Sequence, residues 1–285
     1  MHQENVTKLE QLSLKVREGV IRMATKGGCF LGASLSCVDI IVYLYERVLN
    51  FDFANPSMPQ RDILLLSKGH DVPALYSYFA QKGMIEPERL NNHLHTNDAI
   101  YWHPNREIPG VEFYSGSLGH LLSVGMGIAY DMKLTGSSAK VYIIAGDGEL
   151  NEGSMWEGML VASALKLDNI VLVVDRNYFQ ANIGTENLIP LEPLQKKFES
   201  FGWNAQSVNG HNFEDLEEAI GTVLETEGLP SVVIAETVRG KGVPGIENRA
   251  DRWFCNFTEE EITSLLHELH TGETSRINSE TLVVR

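Results

Sequence analysis

Cysteine is scarce in this chain: Cys29, Cys37 and Cys255, odd in number and far apart, are the only three in 285 residues. That spacing suggests neither a disulfide framework nor a CxxC metal site and reads as reduced thiols in a cytoplasmic protein. Basic clusters are missing as well. With 23 Lys and Arg against 38 Asp and Glu the formal charge is −15, and no run of cations tracks the phosphates of a nucleic acid or an anionic membrane surface. No apolar stretch reaches the roughly 18 residues of a membrane span, and the N-terminus lacks a signal-peptide apolar core. Internal repeats, low-complexity linkers and domain boundaries are absent too. The expectation is one sizeable α/β domain over residues 1–272 and a C-terminal tail over 273–285.

What the chain does have is hydrophobic patterning of two kinds. Leu9, Leu12, Val16, Val20 and Met23 recur at helical spacing, and a second apolar helix is expected from Cys37 to Leu49. Four short runs, Ile63–Leu66, Val141–Ala145, Ile170–Val174 and Val232–Ala235, are apolar at every position. Unbroken runs suit strands covered on both faces, as in a parallel sheet. A weaker strand is expected at Trp203–Val208, and helical patterns near 118–134, 154–166, 193–200 and 213–227 fall between the strands. The alternation predicts a doubly wound, mostly parallel α/β sheet with helices on both faces. Residues 92–117 and 238–257 fit neither pattern; irregular segments of that length are functional or disordered.

Residues 143–153 read IIAGDGELNEG. Asp147 falls just past a strand, at the edge where open α/β sheets bind ligands. Gly146 and Gly148 let the backbone turn sharply and come close to a ligand. The next apolar strand runs into Asn177, 30 positions after Asp147, the spacing of one helix plus one strand. A carboxylate and an amide at neighbouring strand tips, completed by a backbone carbonyl, a water and phosphate oxygens, form an octahedral site of the kind Mg²⁺ accepts. A tight turn and a strand-end cap are the plain alternatives.

The block GDGELNEGSMWEGMLVASALKLDNIVLVVDRN resembles the thiamine-diphosphate motif of transketolases, which opens with GDG and closes with an asparagine. Glu152-Gly153, Trp156-Glu157 and the Lys-Leu-x-Asn lead into the strand separate it from the α subunits of 2-oxoacid dehydrogenases. LLLSKGHDVPALY, GVEFYSGSLGHLLSVGMGIA, Tyr101-Trp102-His103-Pro104, NGHNFEDL and TVRGKGVPGIEN are similar to further family landmarks, so the resemblance runs over about residues 10–257. It covers the first of three transketolase domains, the one that grips the diphosphate. The pyrimidine-binding domain, whose glutamate activates the cofactor, is missing. The resemblance therefore implies a split enzyme whose partner is a separate pyrimidine-binding chain, most simply two of each.

The same resemblance implies roles for particular residues. Asp147, Asn177 and the main-chain carbonyl of Phe179 would hold Mg²⁺, or Ca²⁺ or Mn²⁺ in its place. Thiamine diphosphate would lie against His70, Gly116, Leu118, Gly119, Gly146, Gly148, Glu149, Asn177 and Lys241. His103 would line the substrate channel and assist proton transfer, and Glu152 would join a network between active sites. Plainer readings stand beside these: a capping histidine at 70, a helix entry at Gly116–Gly119, a solvated lysine at 241 and a first-turn helix acid at 152. His93 and His95 read as surface residues and His211 as a helix-start residue. Phe30 stands where the family carries a substrate-touching histidine, and Phe254 where relatives often have one; phenylalanine can neither donate, accept nor carry a proton. The function expected is transfer of a two-carbon ketol unit between sugars or sugar phosphates, with neither nucleic acid nor membrane as partner. An α subunit of a 2-oxoacid complex is one alternative, although its Asn-Gln-Gly variant after GDG is absent here. A non-catalytic cofactor-binding scaffold is another, motivated by Phe30.

Overall fold

The computed structural model describes residues 1–279. In chain order the strands are β1 (Ile63–Leu66), β2 (Val141–Gly146), β3 (Ile170–Arg176), the short pair β4 (Phe179–Gln180) and β5 (Ile183–Gly184), then β6 (Asn204–Asn209) and β7 (Ser231–Glu236). The helices are α1 (Gln3–Met23), α2 (Leu31–Ser36), α3 (Val38–Tyr43), α4 (Val72–Gln81), α5 (Leu121–Leu134), α6 (Gly153–Ala164), α7 (Thr185–Leu188), α8 (Leu194–Ser200), α9 (Phe213–Leu224) and α10 (Glu259–Thr271). Five strands form one sheet in the order β1-β2-β3-β7-β6. Every neighbouring pair in it is parallel. This is the doubly wound α/β sheet that the unbroken apolar runs predict.

Because successive side chains of a strand point to opposite faces, each apolar run feeds two cores. Tyr142 and Ile144 of β2 face the layer containing α1, α3, α4 and α9, whereas Val141, Ile143 and Ala145 face α5, α6 and α8. Two helices start on strong caps. Asn212 accepts from the amides of Glu214 and Asp215 ahead of α9, and Thr258 with Glu261 makes a capping box on α10.

Several boundaries differ from the sequence pattern for local reasons. The helix expected from Cys37 begins six residues earlier, at Leu31, and is interrupted at Cys37, where ψ is 4°. Hydroxyls of Ser34 and Ser36 donate to the carbonyls of Phe30 and Ala33 there, competing with the helical ladder. The run then ends in a π turn over Leu44–Val48. The helix expected from 118 waits until Leu121, because Gly119 sits at φ +83°. Residues 273–279 do not separate from the domain: the amides of Asn278 and Ser279 donate to Glu261, that of Ser275 donates to Glu268, and Ile277 packs on the core. The rest of the expected tail, 280–285, lies outside the described residues. Among those described, no helix is long and apolar enough to cross a membrane.

Candidate functional site

Parallel strands all finish on one edge, so the segments after β1, β2, β3 and β7 meet there around a cavity of about 410 Å³. From β1 come Lys68 and His70, from β2 the turn Gly146–Glu149, and from β3 Asn177 and Phe179. The irregular segments add His103 and Gly116 from one, with Leu118 just beyond it, and Arg239 and Trp253 from the other, while Phe30 and Ala33 enter from the start of α2 and Gln180 and Ala181 from the hairpin after β3.

Asp147 and Asn177 both follow the last residues of adjacent strands, where Gly146 pairs with Asp175 across β2 and β3, and both line the cavity. Asp147 is almost fully buried: Oδ1 accepts from the Gly148 amide at 2.7 Å, and Oδ2 from the Tyr178 amide at 2.7 Å and Arg176 Nη1 at 3.0 Å. Burial pushes its carboxyl up to about 6 despite the arginine. Asn177 donates through Nδ2 to Asp175 at 3.0 Å and accepts the Phe179 amide on Oδ1 at 3.1 Å. Tyr178 between them takes φ +67°, turning the chain so that both neighbours reach the cavity. Phe179 then pairs with Gly184 in the β4–β5 hairpin.

Glu149 is a staple. Its buried carboxylate accepts from Ser67 Oγ after β1, from the Gly119 amide at 2.8 Å and from the Gly146 amide at 3.3 Å, so three separate ligand-edge segments are tied to one side chain. Burial raises its pKa against those three donors. In the loop it holds, Gly116 adopts φ +130°, and a Cβ there would lie 2.4 Å from the His103 ring. A glycine is required for that imidazole to lie flat against the backbone.

Two cations on the cavity wall escaped the sequence reading. Lys68 Nζ is buried between Asp71, at 2.7 Å, and Asp175; burial opposes its charge, yet the two carboxylates hold its pKa well above the usual lysine range. Arg239 donates to the Ala181 carbonyl at 2.6 Å with its guanidinium 5.1 Å from the Phe179 ring. Its Nε and Nη2 are buried with no partner among the described residues. Lys241, expected at the diphosphate, faces elsewhere. Gly240 turns at φ +78°, which sends Arg239 into the cavity and Lys241 into a separate depression beside Arg17 and Asp39. The SKGH and RGKG stretches contained both missed residues, each within two positions of a residue that the sequence did single out.

Among the remaining candidates, His70 and His103 line the cavity. Burial lowers the pKa of each imidazole, so both are neutral near pH 7. Glu152 is exposed and touches Gly119 without lining the cavity. His93 is buried, not a surface residue: its Nε2 meets the Gly28 carbonyl at 3.1 Å and ties one irregular segment to the turn after α1. His95 is exposed. His211 bridges Asp39 at 2.7 Å and the Val238 amide at 2.8 Å, holding the segment that carries Arg239.

An open, parallel α/β sheet whose strand ends bring the carboxylate of Asp147, the amide of Asn177 and an arginine with two unpartnered nitrogens to one cavity belongs to the class of proteins that bind a ligand at the carboxyl edge of the sheet. Residues 16–279 match the family described as transketolase, thiamine diphosphate binding domain, and the chain belongs to that family. It is 37% identical over 252 residues to a subunit of the apulose-4-phosphate transketolase of Actinobacillus succinogenes, covering 88% of this chain and 91% of that one. It is 34% identical over 267 residues to the 6-deoxy-6-sulfo-D-fructose transketolase subunit SqwG of a Clostridium species, covering 91% and 97%. Against human transketolase the identity is 33% over 255 residues, but the match takes in only 40% of that protein. Among solved structures, the transketolase of Campylobacter jejuni superposes with a TM-score of 0.83 at 26% identity, over 96% of this chain and 44% of that one. The chain thus spans less than half of the single-chain transketolases it matches, and nearly all of the proteins named as subunits.

Proposed function

We propose that this chain is the diphosphate- and metal-binding half of a two-chain transketolase, moving a two-carbon ketol unit from a ketose to an aldehyde. The observation that carries the reading is the edge of the sheet: Asp147 and Asn177, each the first residue beyond one of two adjacent strands, facing a cavity into which the buried Arg239 brings two nitrogens without partners among the described residues. A buried cation of this kind is stabilised by an anion, and the diphosphate of a bound cofactor would supply it. Asp147, Asn177 and the Phe179 carbonyl would hold the metal, with Ca²⁺ or Mn²⁺ as substitutes, while Arg239 and His70 would face the phosphates. Thiamine diphosphate, when bound, supplies the carbanion chemistry that a side chain cannot. The chain's own part is to orient and to move protons: neutral His103, packed on Gly116, is poised to accept a proton from a substrate hydroxyl.

Dependence on a second chain is supported by an uncovered apolar face. Tyr130 and Leu134 of α5 are 43% and 69% exposed, and Leu160 and Val161 of α6 are 57% and 46% exposed. Such a face calls for a covering partner, and we assign it to a pyrimidine-domain chain, two of each in the assembly. The buried free thiols of Cys29, Cys37 and Cys255 suit a cytoplasmic setting.

Titration of thiamine diphosphate into the assembled enzyme tests the reading. Asp147→Ala should lose Mg²⁺-dependent binding while still folding and melting in one cooperative transition, at a lower temperature because the Gly148 and Tyr178 amides and Arg176 lose their acceptor; unchanged affinity in that variant overturns it.

A further inference from the structure

One wall of the cavity is built differently from its floor. The Phe30 ring lies 5.0 Å from Trp253, 5.2 Å from Phe254, 5.3 Å from the His70 imidazole and 6.5 Å from Trp102, centroid to centroid. Phe30 and Trp253 themselves line the cavity. Phe254 and Trp102 back them up, 6.0 Å apart and edge to face. The cluster is fixed in place by a two-residue ladder, in which Cys29 and Cys255 exchange backbone hydrogen bonds of 3.0 and 2.9 Å. Gly28 closes the approach, since a Cβ there would lie 2.4 Å from the Cys255 carbonyl and 2.9 Å from the Phe254 ring. The wall is preformed.

Its polarity is low. No carboxylate, hydroxyl, amide or ammonium group belongs to the ring cluster, and the indole nitrogen of Trp102 is buried without a partner. Among the described residues, Lys68 and Arg239 are the only Lys or Arg side chains lining the cavity. Lys68 is already neutralised by two aspartates, and Arg239 faces the proposed diphosphate. A hydroxyl or phosphate pressed against the Phe30 and Trp253 ring faces gives up its water to carbon, with only the neighbouring His70 imidazole and the enclosed Trp102 indole N–H as polar groups in the cluster. A methylene chain gains burial against them.

We infer that Phe30, Trp253 and Phe254 form the specificity wall of this site and select an aldehyde that carries neither hydroxyl nor phosphate next to its reacting carbonyl. The inference rests on the ketol-transfer reading above and narrows its substrate class from sugar phosphates to aliphatic or aromatic aldehydes. The reaction balances without an oxidant or reductant. With hydroxypyruvate as donor, the bond between its ketone and carboxyl carbons breaks and CO₂ leaves. The two-carbon ketol forms a bond to the aldehyde carbon, whose oxygen takes up one proton.

The two-chain enzyme is assayed with hydroxypyruvate as donor and two three-carbon acceptors, propanal and glyceraldehyde 3-phosphate, alongside calorimetric titration of thiamine diphosphate and a melting curve. Wild type should favour propanal in kcat/KM by at least about tenfold. Phe30→His should move that ratio toward glyceraldehyde 3-phosphate by about tenfold or more, and Phe30→Leu, still apolar, should keep it within about threefold. All three should still bind thiamine diphosphate to saturation, and the ratio is compared at saturating cofactor. A wild-type preference smaller than this, or a folded Phe30→His enzyme with an unmoved ratio, overturns the inference; if Phe30→His fails to fold, the wild-type ratio and Phe30→Leu decide. Failure of wild type to bind thiamine diphosphate brings down the ketol-transfer reading and this inference together, whereas intact binding with the wrong ratio removes the inference alone.

Discussion

Glu149 is 2% exposed and accepts from Ser67 Oγ and from the amides of Gly119 and Gly146. Glu149→Ala orphans three donors at once. Each unsatisfied buried donor costs about 1–3 kcal/mol. The low end applies here, because the cavity beside them admits water and because removing a carboxylate whose pKa is raised by burial relieves an opposing cost. The net loss should be about 3 kcal/mol, which for a domain of this size lowers the melting temperature by roughly 6–12 °C. Glu149→Gln keeps two acceptances and turns an amide nitrogen on the Gly146 donor, so it should cost about 1–2 kcal/mol. Thermal unfolding measures the totals, and hydrogen exchange locates them: the Gly119 amide should lose protection first. A Glu149→Ala protein that melts within about 2 °C of wild type, or that melts early with Gly119 still protected, refutes the staple.

Two further outcomes follow from buried charge. His93, 3% exposed, has its pKa lowered to about 4 by burial, below its unfolded value of 6.5. The unfolded chain therefore binds the proton first, and the stability present above pH 6.5 declines by about 3 kcal/mol as pH falls to 4. His93→Gln should flatten that part of the urea-midpoint profile, and an identical profile speaks against it. Arg176, whose guanidinium bonds Asp147, Thr185, Glu186 and Glu192, should cost about 3–5 kcal/mol when changed to Met, because a buried carboxylate loses its counter-charge. In an Asp147→Asn background the same change should cost clearly less, so strictly additive losses in the double-mutant cycle count against the coupling.

The strands were legible because a strand sandwiched between two helical layers has no polar face, and all four unbroken runs became neighbours in one sheet. Helix starts were less so: the delay to Leu121 depends on the backbone sign at Gly119, which composition does not encode. At the site, Asp147 and Asn177 could be read from spacing, since one helix and one strand fix their register. The choice between Arg239 and Lys241 could not, because it turns on the left-handed conformation of Gly240 between them. His93 was misjudged for a related reason: its burial comes from contact with Gly28, 65 positions away. Arg176 drew no notice in the sequence, because its acidic partners Glu186 and Glu192 lie 10 and 16 positions further on in a stretch without periodicity.

The ladder between Cys29 and Cys255 has a bearing on how such a protein diversifies. The floor of the cavity grows out of strand ends, where any change propagates through the sheet. The wall is carried by two short strips, one early and one late in the sequence, that zip to each other. Substitutions in those strips can alter what the cavity admits without renegotiating the register of a single strand. A lineage can thus reshape the cavity by drift at a wall of three or four side chains, and a protein engineer can transplant the paired strips as a cassette between relatives that share the floor.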